Sequence, residues 1–153
     1  MSICRDIDSL TPEMAKRTKA TMMELKKTNI DAVVFETTRS QGVQNAYYAQ
    51  GREPLKKVNE LRLKEGLYPI TEKENKNVIT QTLKSRHIGG GAVDIVPVSK
   101  DGGIWWNAPF EVWESIGLIA EKNGLDWCFA GKGNQWKWDL PHYELLKNWV
   151  KDV

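Results

Sequence analysis

His87 and His142 are the chain's two histidines, and each stands in an unusual local setting. His87 comes just before Gly89-Gly90-Gly91. Asp94 follows seven residues after it, inside the apolar run Ala92-Val93-Asp94-Ile95-Val96. A carboxylate there must face solvent or a partner that compensates its charge, because burying it unpaired is costly. A metal ion would be such a partner. The glycines let a loop residue and a strand residue converge on one ion. His142 follows Asp139 by three residues, with Pro141 stiffening the step. Two imidazoles and one carboxylate make a three-ligand set that leaves a fourth zinc position open for water, the catalytic rather than the structural pattern. Structural zinc favours four ligands with cysteines in pairs, and Cys4 and Cys128 lack that spacing. Zinc brings the pKa of water down to about 7. A nearby carboxylate must then take the proton and pass it to a leaving amine. Asp139 is placed for this, and Glu144 competes for the role. Each residue also has a plainer reading: a satisfied core or surface histidine, or an exposed strand aspartate.

These residues need elements to hold them. Thr11-Pro12-Glu13 is a helix start, and Ala15, Thr18, Met22 and Leu25 recur at helical spacing, which predicts an amphipathic helix over 12–28. Ala32-Val33-Val34-Phe35 reads as a short buried strand that delivers Glu36-Thr37-Thr38-Arg39 at its end. Ser40 caps a helix from Gln41 to Gln50, stopped by Gly51. Residues 54–76 are charged, with a short helical pattern at Leu55, Val58 and Leu61; they read either as an excursion flanking a cleft or as a plain surface loop. Val78-Ile79-Thr80 predicts a strand, Ala92 to Val96 another, closed by Pro97. Asn107 is placed to cap a helix from Ala108 to Asn123, with Gly124 as its stop. Leu125 to Phe129 predicts a further strand, and Leu145 to Val150 a closing helix. No repeat or linker interrupts 1–153. Strands and helices mix without a regular βαβ alternation, so the class is α+β in a single domain.

The composition excludes several functions. At 153 residues, 41% hydrophobic and 27% charged, the chain can bury a real core, roughly 70% of its unfolded surface. All seven tryptophans fall between Trp105 and Trp149, consistent with core or groove. A net charge of +2 with no helix-long basic stripe argues against nucleic acid. No run approaches 18 apolar residues, so no membrane anchoring is expected, and the first residues lack the pattern of a signal peptide. Cys4 and Cys128 then read as free thiols, with a disulfide between them as the lesser alternative.

The motif Ser85-Arg86-His87-Ile88-Gly89-Gly90-Gly91-Ala92-Val93-Asp94-Ile95 resembles the S-x-H-x-x-G-x-A-x-D signature of the zinc D-Ala-D-Ala carboxypeptidase, dipeptidase and L-alanyl-D-glutamate endopeptidase family. Asp139-Leu140-Pro141-His142-Tyr143-Glu144 resembles its second motif, an acid three residues before the last histidine ligand. Thr38-Arg39-Ser40, Gln44 and Tyr48-Ala49-Gln50-Gly51-Arg52 resemble the segment carrying the family's arginine, and Trp113 to Trp127 the helix and strand before the second motif. The match runs in order over about 30–145. It implies one zinc per chain on His87, Asp94 and His142, Asp139 as general base and acid, and Arg39 stabilising the oxyanion. It further implies that Ser85 hydrogen-bonds substrate or orients the first ligand, and that Gln44 supports Arg39 or the substrate. The fold implied is the one shared with the Hedgehog signalling domain, a small antiparallel sheet carrying the metal with helices packed on it.

Two departures sit beside the implied cleft. Trp127-Cys128-Phe129-Ala130-Gly131-Lys132-Gly133 replaces the Trp-Gly-Gly stretch of related endopeptidases, and 54–76 is longer than in the shortest members. Both bear on specificity. The expectation is a monomeric L-alanyl-D-glutamate endopeptidase of peptidoglycan stem peptides with no separate cell-wall-binding domain. It would act as a phage or prophage endolysin, made in the host bacterial cytoplasm and reaching the wall by holin-type release. The rivals are a D-Ala-D-Ala carboxypeptidase or dipeptidase, and a non-catalytic Hedgehog-like zinc module.

Overall fold

Short β-branched runs and amphipathic segments are mixed along the chain, and the computed structural model, which describes residues 3–128 and 139–150, resolves them into one sheet with helices. The helices are α1 (Pro12–Lys26), α2 (Gln41–Ala49), α3 (Leu55–Lys64) and α4 (Phe110–Lys122). The strands are β1 (Ala32–Glu36), β2 (Val93–Pro97), β3 (Leu125–Trp127) and β4 (His142–Leu145). They form an antiparallel sheet in the order β1-β2-β4-β3. The architecture is α+β, as the irregular order of elements predicts.

Burial explains the layering. Val93, Ile95 and Val96 of β2 are fully buried, and they join Met14 and Leu25 of α1, Trp113, Ile116 and Ala120 of α4, and Leu125, Trp127 and Tyr143 in one core. Gly117 makes this packing possible. A Cβ there would collide with the Trp127 indole, so α4 rides directly on that ring. A second, smaller cluster of Val43, Ala46 and Leu67 joins α2 to the chain after α3.

The helix starts follow local chemistry. Pro12 opens α1, and Ser40 Oγ accepts from the Val43 amide to cap α2. α4 begins at Phe110 rather than at Ala108, because Ala108 precedes Pro109 and a residue before proline is driven out of the helical region. Val78-Ile79-Thr80 forms no strand. It lies irregularly with Val78 and Ile79 exposed, and the Thr80 carbonyl accepts from Arg52. The predicted closing helix is also absent. Leu145 ends β4, and the chain then turns through Asn148 at a φ of 59°. Its apolar residues are satisfied another way: Trp149 lies 4.7 Å from the Arg17 guanidinium, and the Leu146 amide donates to the Gly124 carbonyl. The third strand ends at Trp127, and Phe129, at the end of its predicted range, lies outside the described residues.

Candidate metal centre and cleft

Strand register builds one wall of the site. Glu36 of β1 lies across from Asp94 of β2, and Asp94 lies across from His142 of β4, so three polar side chains form a row over the sheet. The row depends on an irregularity. Val34 pairs with Ile95 and Glu36 with Asp94, leaving Phe35 as the extra residue of a bulge. His87 reaches the same point from the 85–91 loop. Gly90 allows this approach: its φ is +84°, and a Cβ there would sit 2.9 Å from Leu10 Cα. The Gly91 amide closes the loop onto the Arg86 carbonyl at 2.8 Å.

The two imidazoles and Asp94 converge. Asp94 Oδ1 lies 3.2 Å from His87 Nε2 and 3.4 Å from His142 Nδ1. Both rings are buried, and the three ligand atoms all lie within 4.8 Å of one another. A tetrahedral zinc with ligands at 2.0–2.2 Å requires ligand atoms roughly 3.3–3.6 Å apart; the 3.4 Å separation falls within that range and the 3.2 Å one just below it. The outer nitrogens fix the tautomers. His87 Nδ1 donates to the Thr37 carbonyl at 2.7 Å, and His142 Nε2 meets Glu144 Oε2 at 2.8 Å. The inner nitrogens thus turn toward the common point, in the manner of metal-bound histidines backed by a carbonyl or carboxylate. The fit to zinc is good on these donors.

Charge follows the same geometry. Burial opposes ionisation of Asp94, but its close contacts with the His142 and His87 rings prevail and hold its carboxyl well below the usual carboxylate range. Burial likewise opposes the charged form of His142, and the hydrogen bonds to Asp94 and Glu144 outweigh it, raising its pKa to about 9. Asp139 Oδ2 lies 3.8 Å from His142 Nδ1. Burial, reinforced by the charge of Asp94, pushes Asp139 up to about 6. Glu144, the competing base by sequence, stands on the outer nitrogen of His142. Cys128 also lies near that nitrogen, in a group with His142 and Glu144. Burial and the Glu144 charge raise its thiol far above the ordinary range, which makes it a poor nucleophile. Cys4 and Cys128 are both free.

Arg39 is clamped behind the metal-facing wall. Its Nη2 and Nε donate to Glu36 Oε1 and Oε2 at 2.6 and 3.1 Å, and Nη1 donates to Gln44 Oε1 at 2.7 Å and toward Ser85 Oγ at 3.5 Å. The Tyr47 ring lies 4.8 Å from the guanidinium carbon. Gln44 is fully buried, and its amide also donates to the Thr82 carbonyl, so it acts on the cleft through Arg39. Ser85 Oγ accepts from the His87 amide at 3.2 Å and lines the cleft, linking the arginine to the ligand loop. Glu36 and Tyr47 were not legible as site residues. The one signal for Glu36 is an acid three residues before the arginine.

His87, Asp94, His142, Asp139 and Arg39 all line one cleft of about 640 Å³. Its far side comes from 54–76 and the following turn, through Arg62, Ile70, Glu74 and Ile79, so the charged excursion does flank the cleft. Trp106, stacked edge-on against Phe35 at 5.0 Å, forms part of the rim. The tryptophans at 136 and 138, and the replaced stretch from Phe129 onward, lie outside the described residues. Among the described residues no helix is long and apolar enough to cross a membrane.

No protein-family model matches the chain. It is 29% identical over 128 residues to the peptidoglycan L-alanyl-D-glutamate endopeptidase CwlK of Bacillus subtilis, covering 78% of this chain and 63% of that protein. The chain thus spans under two thirds of the length of that curated relative. The fold matches the L-Ala-D-Glu endopeptidase ChiX of Serratia marcescens with a TM-score of 0.55, at 20% identity over 91% of this chain and 82% of the other. It also matches the zinc-bound D,D-pentapeptidase VanY of a VanB-type resistance cassette with a TM-score of 0.53, at 12% identity over 90% and 72% of the two chains. The sequence relative is an endopeptidase of the family that the motifs resemble, and the two solved structures share the fold which that resemblance implies.

Proposed function

We propose that the chain is a zinc peptidase of bacterial peptidoglycan that hydrolyses the L-alanyl-D-glutamate bond of the stem peptide. The observation that carries the proposal is the convergence of His87 Nε2, His142 Nδ1 and Asp94 Oδ1 at zinc spacing, in the same cleft as Asp139 and Arg39. CwlK, the relative in sequence, favours this bond. The fold shared with the VanY D,D-pentapeptidase keeps D-Ala-D-Ala cleavage as the second reading.

When bound, zinc supplies Lewis acidity, which lets water act as a nucleophile at neutral pH and polarises the scissile carbonyl. The chain's own groups do the rest. His87 and His142 present lone pairs from Nε2 and Nδ1, held in that tautomer by the Thr37 carbonyl and Glu144. Asp139 accepts the proton of the attacking water on its carboxylate and returns it to the leaving amine. A carboxyl with a pKa near 6 suits both halves of that transfer. Arg39, fixed by Glu36 and Gln44, meets the negative charge that develops on the carbonyl oxygen. Of its five N–H donors, Glu36, Gln44 and Ser85 account for four, and the remaining Nη2 hydrogen is uncommitted among the described residues.

Asp139→Asn tests the assignment. It should keep one equivalent of zinc and a native fold while hydrolysis of purified peptidoglycan falls about 10²–10⁴-fold. Undiminished hydrolysis would remove Asp139 from its role. Mass spectrometry of the wild-type digest decides the bond: a new L-Ala carboxyl and D-Glu amine support the endopeptidase, and released D-Ala supports the second reading. The biological setting we favour is a phage or prophage endolysin with holin-type release. The resemblance over 30–145 supports it, and coexpression with a holin in a bacterial host tests it by lysis.

A further inference from the structure

The cleft extends beyond the catalytic wall to a second cation. Arg62 stands in the last turn of α3 and lines the cleft. Its Nε donates to the Tyr68 carbonyl at 2.7 Å, which aims the guanidinium. Its two Nη groups have no hydrogen-bond or ion-pair partner among the described residues. Arg39 differs, since Glu36 already neutralises it. Glu74 lines the same end as Arg62, but its Oε1 accepts from the Thr71 amide and hydroxyl, and it forms no ion pair with Arg62. An aimed, unpaired guanidinium in a cleft is a fork of donors for a planar anion.

Tyr47 gives the distance scale. Its ring centroid is 4.8 Å from the Arg39 guanidinium carbon and 5.9 Å from that of Arg62. The two cations therefore lie no more than about 11 Å apart, roughly three residues of extended peptide. With the scissile carbonyl at Arg39, a group held by Arg62 lies within that span along the substrate.

We propose that Arg62 is a specificity-determining residue that receives a free, non-terminal carboxylate of the stem peptide within three residues of the scissile bond. This rests on the peptidase reading above. Apart from its C-terminus, the stem peptide offers two such carboxylates: the one on D-Glu left free by its side-chain linkage, and the side-chain carboxylate of a diaminopimelate at the third position.

The test compares wild type and Arg62→Gln on three synthetic peptides. One carries both carboxylates, one has the D-Glu carboxylate amidated, and one has lysine in place of diaminopimelate. On the peptide carrying both, the variant should raise KM about tenfold or more with kcat within about twofold, the loss expected for a charge-assisted pair. Wild type should lose a similar factor on whichever modified peptide lacks the recognised carboxylate, and the variant should not distinguish that peptide from the parent. The peptide on which discrimination vanishes identifies the carboxylate. Arg62→Lys retains the cation without the fork; it should fold even where the Gln variant does not, and should still discriminate with a smaller rise in KM. Equal losses on all three peptides, or no loss on any, would overturn the assignment of Arg62 while leaving the peptidase reading intact. A zinc-loaded wild type that cleaves none of the three would overturn both.

Discussion

Glu36→Gln isolates the ion pair behind the site. Arg39 and Glu36 are joined by two hydrogen bonds of 2.6 and 3.1 Å, with side chains only 11% and 6% exposed. Removing the charge of Glu36 leaves a buried guanidinium that keeps Gln44, Ser85 and the Tyr47 ring beside it but loses its paired carboxylate. Breaking one side of a buried pair typically costs about 3–5 kcal/mol. Glutamine retains one acceptor oxygen, so the lower end, about 3 kcal/mol, is expected. For a domain of this size that corresponds to a fall in Tm of roughly 6–12 °C. The assay is thermal unfolding followed by circular dichroism, with urea unfolding to check that the m-value is unchanged. The double variant Glu36→Gln, Arg39→Gln should be more stable than Glu36→Gln alone, because it no longer strands a charge. A single variant melting within about 2 °C of wild type, below the loss of 1 kcal/mol for this length, would refute the account of Arg39 as a clamped, desolvated cation.

Two further predictions concern the metal. Glu144→Gln should leave the fold intact and weaken zinc binding about 10–100-fold, as for loss of a carboxylate behind a ligating histidine; competition with a chromophoric chelator measures it. The raised pKa of His142 gives zinc binding a pH dependence. In the metal-free protein, protonated His142 contributes stability that is fully present below its ordinary value of 6.5 and is lost as pH rises through about 9. Zinc requires the neutral ring, so its affinity should run the opposite way, gaining up to about tenfold per pH unit between pH 7 and 9. A flat affinity profile in chelator competition would contradict this.

Much of this arrangement is legible in the sequence wherever local chemistry decides it. Pro12, Ser40 and Gly51 mark helix ends by capping and turn rules, and the apolar run around Asp94 marks a buried strand. What the sequence hides is what depends on neighbours. Glu36 at the end of an apolar strand looks solvated, and only the bulge at Phe35 turns it onto Arg39. Leu145 to Val150 has helical spacing, yet β4 claims its first residue and Arg17 holds Trp149 from another element. Val78 to Thr80 has β-branched residues, yet it pairs with no strand among the described residues. Arg39 acquires meaning from the resemblance first, and from Glu36, Gln44 and Tyr47 once the chain is folded.

β4 follows the other three strands in the chain, yet lies between β2 and β3. Of these four strands, ribosomal synthesis therefore delivers an interior one last. β1 and β2 can pair as they emerge, but β3 has no sheet partner until β4 has been made. The same late strand carries His142 to its place opposite Asp94. A nascent chain without β4 holds His87 and Asp94 but lacks His142, so the three-residue group that could hold a metal is completed only when the sheet is.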